Sequence, residues 1–363
     1  MDYTRTPAAP AVDGNAARSR LQFGDLVELL RPTQWVKNVV VFAGPAAGLK
    51  LSSGHALGQA MVAFAAFCLA ASATYAFNDV VDRTADASHP TKRLRPVARG
   101  AIQASTGVLV AVVLAATAVS LTTLALSWAV TAVLAGYLAL TLAYSLTLKR
   151  RVILDVIVVA CGFVLRAFAG AIAVGVPTSE WLVACVFTLC LFMGFGKRRC
   201  EIAMIGNAEE IGHHRRTLVR YTPDLLNHLL AVSAGIAVIT FLLYTLDTQG
   251  HPSPFHKEHL FYTLPLVIYG IFRFAMLTEL GVYSGPTEIV LKDRAMLLAI
   301  VLWALCALVI AYQNVLFGSR GLSGFMAESP IANFQLLICS WLHSTFLQSA
   351  IGNWQSAICL GHW

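Results

Sequence analysis

The chain has 363 residues, of which 57% are hydrophobic and only 12% charged, with a mean hydropathy of +0.69 and a formal net charge of +7. Soluble domains carry about twice that charged fraction, so the composition excludes a soluble globular protein and points to an all-α integral membrane protein. The excess of positive charge falls in loops on one side of the expected spans and calls for no nucleic-acid partner.

Residues 1–30 hold Pro7, Pro10, Gly14 and several alanines but no apolar core followed by a cleavage site, so a disordered leader is expected there rather than a signal peptide. Nine stretches then approach the roughly 20 apolar residues that a bilayer crossing needs: about 36–50, 57–79, 103–127, 129–148, 154–175, 180–196, 227–247, 261–278 and 295–314. The first is short and interrupted by Gly44, Pro45 and Gly48, which predicts a broken or partly interfacial helix. Residues 31–314 are expected to form one helical bundle. Residues 315–363 carry Trp341, Trp354 and Trp363 but only Arg320 and Glu328 as charges, and form an atypical tail of unassigned role.

Lys and Arg number 21 in the amino-terminal arm and the loops after spans two, four, six and eight, against Lys50, Lys257 and Arg320 on the opposite side. Basic loops are retained in the cytoplasm. A multi-pass protein of the inner (plasma) membrane is therefore expected, with its amino terminus and charged loops cytoplasmic and, for an odd number of spans, its carboxyl terminus outside. The eight cysteines show no CxxC pair and no metal-like spacing with histidine, so they read as small apolar residues and zinc is not expected.

The second span ends in FNDVVDRTADASHPTKRLRPVARG, residues 77–100. In a continuing helix Asp79, Asp82 and Asp86 follow an i, i+3, i+7 rhythm and line one face. Like charges at a helix carboxyl end repel one another and the macrodipole, so cations must compensate them. Two compensations suit the residues. One is a solvated acidic helix end bridged to Lys92, Arg93, Arg95 and Arg99; the other is Mg²⁺, whose hard-oxygen shell is completed by substrate phosphates, with the basic residues holding the same diphosphate. The first span opens with a polar entrance of Arg31, Gln34, Trp35, Lys37 and Asn38, in which Lys37 and Asn38 are candidate substrate contacts and Trp35 suits an interfacial belt.

The stretch NDVVDRTAD matches the NDxxDxxxD signature of the UbiA-type membrane prenyltransferases, and the chain resembles that family over about residues 25–314. LRPTQWVKN at 30–38, HPTKRLRPVARG at 89–100 and YSLTLKRRVILDV at 144–156 are similar to the polyprenyl-phosphate (decaprenyl-phosphate) phosphoribosyltransferase branch, including a nodulation-associated type. The resemblance implies a nine-helix bundle with a cytoplasmic-facing cavity, in which Asp79, Asp82 and Asp86 bind Mg²⁺ and act in catalysis and Asn78, Lys92 and Arg95 contact substrate. The aromatic prenyltransferases of the superfamily carry a second aspartate motif after the sixth helix. Here that loop reads GFGKRRCEI, with Lys197, Arg198 and Arg199 in its place. A cationic cluster binds a phosphate directly rather than through a second metal, although such clusters are also ordinary topology anchors.

Tyr144, Lys149 and Asp155 flank the loop after span four and are candidate contacts to a diphosphate or ribose; interfacial anchoring and a dipole-favoured helix start are the plainer readings. Arg166 lies about 16 Å further into the bilayer and is expected to line the chamber, because an intramembrane Arg faces a polar cavity or an anion. Arg273, nearer a helix end, suits snorkelling. The implied reaction transfers a 5-phosphoribosyl group from phosphoribosyl pyrophosphate to a polyprenyl phosphate. Its product is the precursor of arabinose donors for cell-wall arabinan or for arabinosylated nodulation signals. Polyprenyl transfer to an aromatic or haem acceptor is the alternative within the superfamily, and a polyprenyl-lipid transporter the alternative outside it. The missing second aspartate motif argues against the former, and the lack of paired interrupted helices in corresponding halves against the latter. A homo-oligomer is left open.

Overall fold

The computed structural model describes residues 23–89, 91–204, 221–247 and 255–312. The tail at 315–363, residues 1–22 of the leader, and Arg215, Arg216 and Arg220 of the loop after span six lie outside the described residues.

All regular elements among the described residues are helical. In chain order they are α1 Phe23–Leu30, α2 Ala43–Ala47, α3 Gly54–Val81, α4 Arg83–Ala87, α5 Ala104–Ala125, α6 Trp128–Leu146, α7 Leu154–Ala173, α8 Glu180–Met204, α9 Pro223–Leu246, α10 Leu264–Leu280, α11 Pro286–Lys292 and α12 Arg294–Ala311. Eight are long and apolar enough to cross a membrane: α3, α5, α6, α7, α8, α9, α10 with the 3₁₀ turn Lys257–Thr263 before it, and α12. Local chemistry sets several of their ends. The Ser127 hydroxyl accepts the Val130 N–H at the start of α6, Thr222 accepts Leu225 N–H ahead of Pro223 in α9, and Asp293 accepts Met296 N–H in α12. Phe23–Leu30 falls in the expected disordered leader, yet it is helical because Leu29 is fully buried against Ala76, Val97 and Ile102.

Helix α3 is central, and alanines at 60, 63, 66, 70, 71, 73 and 76 let its neighbours approach closely. One apolar cluster joins it to α6 and α7 through Phe67, Leu134, Tyr137 and Ala169; a second joins α8, α9 and α10 through Phe192, Leu226 and Phe274. Outward residues such as Val112 and Val113 of α5 and Leu298 and Leu305 of α12 are exposed and apolar, as lipid contact requires.

The interrupted first stretch is not a long helix. It is a 3₁₀ segment, Pro32–Phe42, followed by α2 and a further 3₁₀ turn at Lys50–Ser52. The segment begins at Arg31 beside Asp79 and ends with Gly48 against Val176, beyond the far end of α7. A 3₁₀ helix rises about 2.0 Å per residue against 1.5 Å for an α-helix, so few residues cover that distance. Two glycines permit the fit: a Cβ on Gly170 of α7 would lie 1.8 Å from the Val41 carbonyl oxygen, and one on Gly44 2.5 Å from the Ala171 Cβ.

Candidate active site

The aspartates occupy a break rather than a continuous helix. α3 ends at Val81, Asp82 caps it, and α4 restarts at Arg83. Asp79 and Asp86 are buried, whereas the Asp82 side chain is about a quarter exposed. The expected compensation by cations is present, but from partners the loop alone does not reveal. Arg31 donates from Nη2 to both oxygens of Asp79, at 2.6 and 2.8 Å. Arg95 Nη1 bridges Asp79 Oδ1 at 3.2 Å and Asp86 Oδ2 at 2.6 Å. Lys149, arriving from the turn after α6, donates to Asp82 Oδ1 at 2.6 Å and Asn78 Oδ1 at 3.1 Å, while the Asn78 amide donates to Asp82 Oδ2 at 3.0 Å. Of the four basic residues expected here, Arg95 takes this role; Arg99 pairs instead with Asp25 and Glu28 of α1. Lys92 lies on the 3₁₀ turn Lys92–Leu94 with its N–H donated to His89 Nδ1. The three carboxylates therefore divide into two groups, Asp79 with Asp86 and Asp82 with Asn78, instead of lining a single face.

Arg31 itself is held in left-handed geometry (φ 51°, ψ 58°), uncommon for a residue with a side chain. The bidentate pair with Asp79 and stacking at 5.2 Å on the Tyr75 ring hold it there.

The donor set suits Mg²⁺ by its chemistry. Its oxygens are hard, and oxygens of Asp79 and Asp86 converge on one guanidinium nitrogen, a position already occupied by a cation. Among the described residues no group of three or more His, Cys, Asp and Glu side chains forms a ready cage. Mg²⁺ does not require one, since it binds through one or two carboxylates with water and substrate phosphates making up the rest.

Deeper in the bundle, Arg166 is buried and fixed. Its Nε donates to Asn38 Oδ1 at 2.7 Å and its Nη2 to Tyr137 Oη at 2.8 Å, with the guanidinium 4.6 Å from the Tyr137 ring centroid and 5.0 Å from that of Phe163. Asn38, expected as a substrate contact, is fully buried and orients Arg166, its amide reaching the Cys68 sulfur at 3.3 Å. Lys37 stands within the electrostatic reach of Lys197, Arg166 and Arg31, and has no ion pair or hydrogen bond among the described residues. Trp35 is not a free belt residue, because its indole N–H donates to Ser72 at 3.0 Å. Arg273 does not simply snorkel; it forms a two-point pair with Asp293, at 3.0 and 2.8 Å, that ties α10 to the start of α12.

At the basic carboxyl-terminal end of α8, Arg198 is buried, 3.0 Å from Asp155 and 2.5 Å from Glu201, while Lys197 is exposed and 3.8 Å from Glu201. Asp155 is fully buried and accepts the Tyr221 hydroxyl at 2.8 Å. Tyr144 lies near the end of α6 in the field of both Arg198 and Tyr75. Tyr137, Tyr221 and Glu201 are the participants that the sequence pattern left out. A hydroxyl-bearing ring midway along the apolar α6 is the available signal for Tyr137; Tyr221 offers none.

Residues 39–279 match the UbiA prenyltransferase family. The chain belongs to that family. It is 33% identical over 321 residues to the decaprenyl-phosphate phosphoribosyltransferase of Corynebacterium glutamicum, covering 86% of this chain and 95% of that protein. To the protein of the same name in Mycolicibacterium smegmatis it is 35% identical, covering 77% of this chain and 89% of the relative. Its fold is similar to that of a UbiA homolog from Archaeoglobus fulgidus bound to GPP and Mg²⁺, with a TM-score of 0.61 at 17% identity, over 79% of this chain and 99% of that one. This UbiA-family chain is thus a multi-pass membrane protein.

Proposed function

We propose that this UbiA-family protein transfers the 5-phosphoribosyl group of phosphoribosyl pyrophosphate to a polyprenyl (decaprenyl-type) phosphate, releasing pyrophosphate, at the cytoplasmic face of the inner membrane. The observation that carries the reading is the contrast between two groups of charge. Asp79, Asp82 and Asp86 are matched with Arg31, Arg95 and Lys149, whereas Lys37 stands among Lys197, Arg166 and Arg31 with no carboxylate partner among the described residues. A half-buried cation without a counter-ion is costly and favours an anionic ligand. A diphosphate donor and a phosphate-bearing acceptor need two phosphate sites; prenyl transfer from a diphosphate to an aromatic acceptor needs one. The names of the two bacterial relatives agree with this reading.

Asp79 and Asp86, with Asp82 and Asn78 beside them, would hold Mg²⁺, which neutralises charge on the departing pyrophosphate. Arg31, Arg95 and Lys149 add guanidinium and ammonium donors for the same oxygens. Lys37, Lys197 and Arg166 hold the acceptor's phosphate. An oxygen of that phosphate attacks C1 of the ribose, the bond from C1 to the pyrophosphate oxygen breaks, and pyrophosphate leaves with the bonding pair. No side chain acts as a base, because a phosphate monoester, with a second pKa of about 6, is ionised at neutral pH. The product would serve as a precursor of arabinose donors, for cell-wall arabinan or for arabinosylated nodulation signals.

Membranes containing the protein, given polyprenyl phosphate, Mg²⁺ and labelled phosphoribosyl pyrophosphate, are expected to yield labelled lipid. Asp79→Asn should reduce that transfer by about 10²-fold or more, the scale on which charge stabilisation acts. Reaction of a labelled prenyl diphosphate with an aromatic acid, and none with phosphoribosyl pyrophosphate, would replace this reading with prenyl transfer.

A further inference from the structure

Ile153, just ahead of α7, has φ 70° and ψ −50°. A β-branched residue at positive φ is a genuine outlier. The Leu154 N–H donates to the Val152 carbonyl at 2.8 Å, closing a three-residue γ-turn of the strained, positive-φ kind. Such a conformation persists only where its surroundings over-determine it. Here the Ile153 carbonyl accepts the N–H groups of Val156 and Ile157, Asp155 N–H donates to the Arg151 carbonyl, and one side-chain hydroxyl completes the set. The Ile153 N–H donates to Tyr221 Oη at 2.7 Å, and the same Tyr221 hydroxyl donates to Asp155 Oδ1 at 2.8 Å. Tyr221 immediately precedes the Thr222 cap of α9, so the start of that helix is fastened to the start of α7.

The other oxygen of Asp155 is 3.0 Å from Arg198 Nε, yet neither atom makes an aligned hydrogen bond. Arg198 Nη1 donates to Glu201 at 2.5 Å, and its Nη2 has no partner among the described residues. One edge of the guanidinium is thus fixed by the protein. The other is left to an incoming group.

We propose that Tyr221 and Asp155 are positioning residues: through the γ-turn they hold Arg198 so that its free nitrogen meets a phosphate of the substrate. The proposal rests on the phosphoribosyl-transfer reading for the identity of that phosphate. The reason for the strain follows. Placing Asp155 on the first turn of α7, fully buried and facing α8, requires the chain to turn sharply at residue 153, and the Tyr221 hydroxyl keeps it turned. Burial, with the bond to Asp155, raises the hydroxyl's proton affinity above that of an ordinary phenol, so it remains a donor.

The test is a double-mutant cycle on the full chain in membranes or nanodiscs, reading KM and kcat for phosphoribosyl pyrophosphate together with its equilibrium binding. Tyr221→Phe and Arg198→Lys are each expected to raise KM and Kd about tenfold with kcat within about threefold, and the double variant to be no worse than Arg198→Lys alone, as for residues acting as one unit. Asp155→Asn, which keeps the shape, should behave as Tyr221→Phe does. Multiplying penalties in the double variant, or a loss of kcat and folded yield with KM unchanged, would overturn the proposal in favour of a purely structural contact. If the wild-type protein binds no phosphoribosyl pyrophosphate, the functional reading fails, and the same cycle is read on binding of inorganic pyrophosphate. Coupling there keeps the positioning role; additive effects there remove it.

Discussion

Gly170→Ala tests whether the 3₁₀ segment truly lies against α7. The added Cβ would sit 1.8 Å from the Val41 oxygen and 2.7 Å from its carbonyl carbon, against an ordinary contact distance of 3.4–4 Å. Backbone, not a flexible side-chain tip, blocks the way, so the segment must retreat by roughly 1 Å or more, and a shift of that size costs on the order of 10²-fold in a positioned reaction. The retreat carries Lys37 and Asn38 with it and breaks the 2.7 Å bond from Arg166 to Asn38. Overpacking of this kind also destabilises by about 1–3 kcal/mol. Turnover and thermal midpoint in nanodiscs are the assays. Gly136→Ala in α6 and Gly235→Ala in α9, where a Cβ meets nothing within 4 Å, serve as controls and should leave turnover unchanged and the thermal midpoint equal or slightly higher, since Ala favours a helix over Gly. Turnover of Gly170→Ala within about threefold of wild type would refute the packing argument.

Removing Arg31 leaves buried Asp79 with Arg95 at 3.2 Å as its remaining partner; Arg31→Ala is expected to cost about 2–3 kcal/mol, below the full range for a buried pair because Arg31 is partly exposed. Paired with Asp79→Asn, it should show a coupling energy above about 1 kcal/mol in thermal or denaturant unfolding; simple additivity would dissolve the pair. Lys149→Met should lower activity without loss of folded protein, read as kcat/KM alongside the thermal midpoint, since Lys149 meets Asp82 and Asn78 at the partly exposed face of the site. Chelation of divalent metal should stop turnover and added Mg²⁺ restore it, while turnover that persists in chelator removes the metal from the reaction. Because the proton affinity of Tyr221 is raised, its contribution is fully present below the ordinary phenol pKa of about 10 and is lost only above it. The thermal midpoint should therefore hold from pH 7 to about 9.5 and then fall, less steeply in Tyr221→Phe.

What the sequence revealed and what it hid follow from range. The long spans were legible because hydropathy is a local property, and the aspartates because their spacing is. Their partners were not local: Arg31 meets Asp79 across 48 positions, Lys149 meets Asp82 across 67, Tyr221 meets Asp155 across 66 and Arg166 meets Asn38 across 128. The i, i+3, i+7 pattern suggested one shared face, but the helix breaks at Asp82 and the carboxylates separate toward different cations. Lys37 and Asn38 looked alike in the entrance LRPTQWVKN. The 3₁₀ winding sends the amide into the interior to fix Arg166 and leaves the amine among cations, a distinction that α-helical periodicity does not make.

The central claim is that one site joins a diphosphate sugar to a lipid phosphate. Purified protein in lipid, supplied with phosphoribosyl pyrophosphate, polyprenyl phosphate and Mg²⁺, should release one pyrophosphate for each phosphoribosylated lipid detected by mass spectrometry, and none when either substrate is omitted. Pyrophosphate release that requires a prenyl diphosphate instead, with phosphoribosyl pyrophosphate left intact, would contradict it.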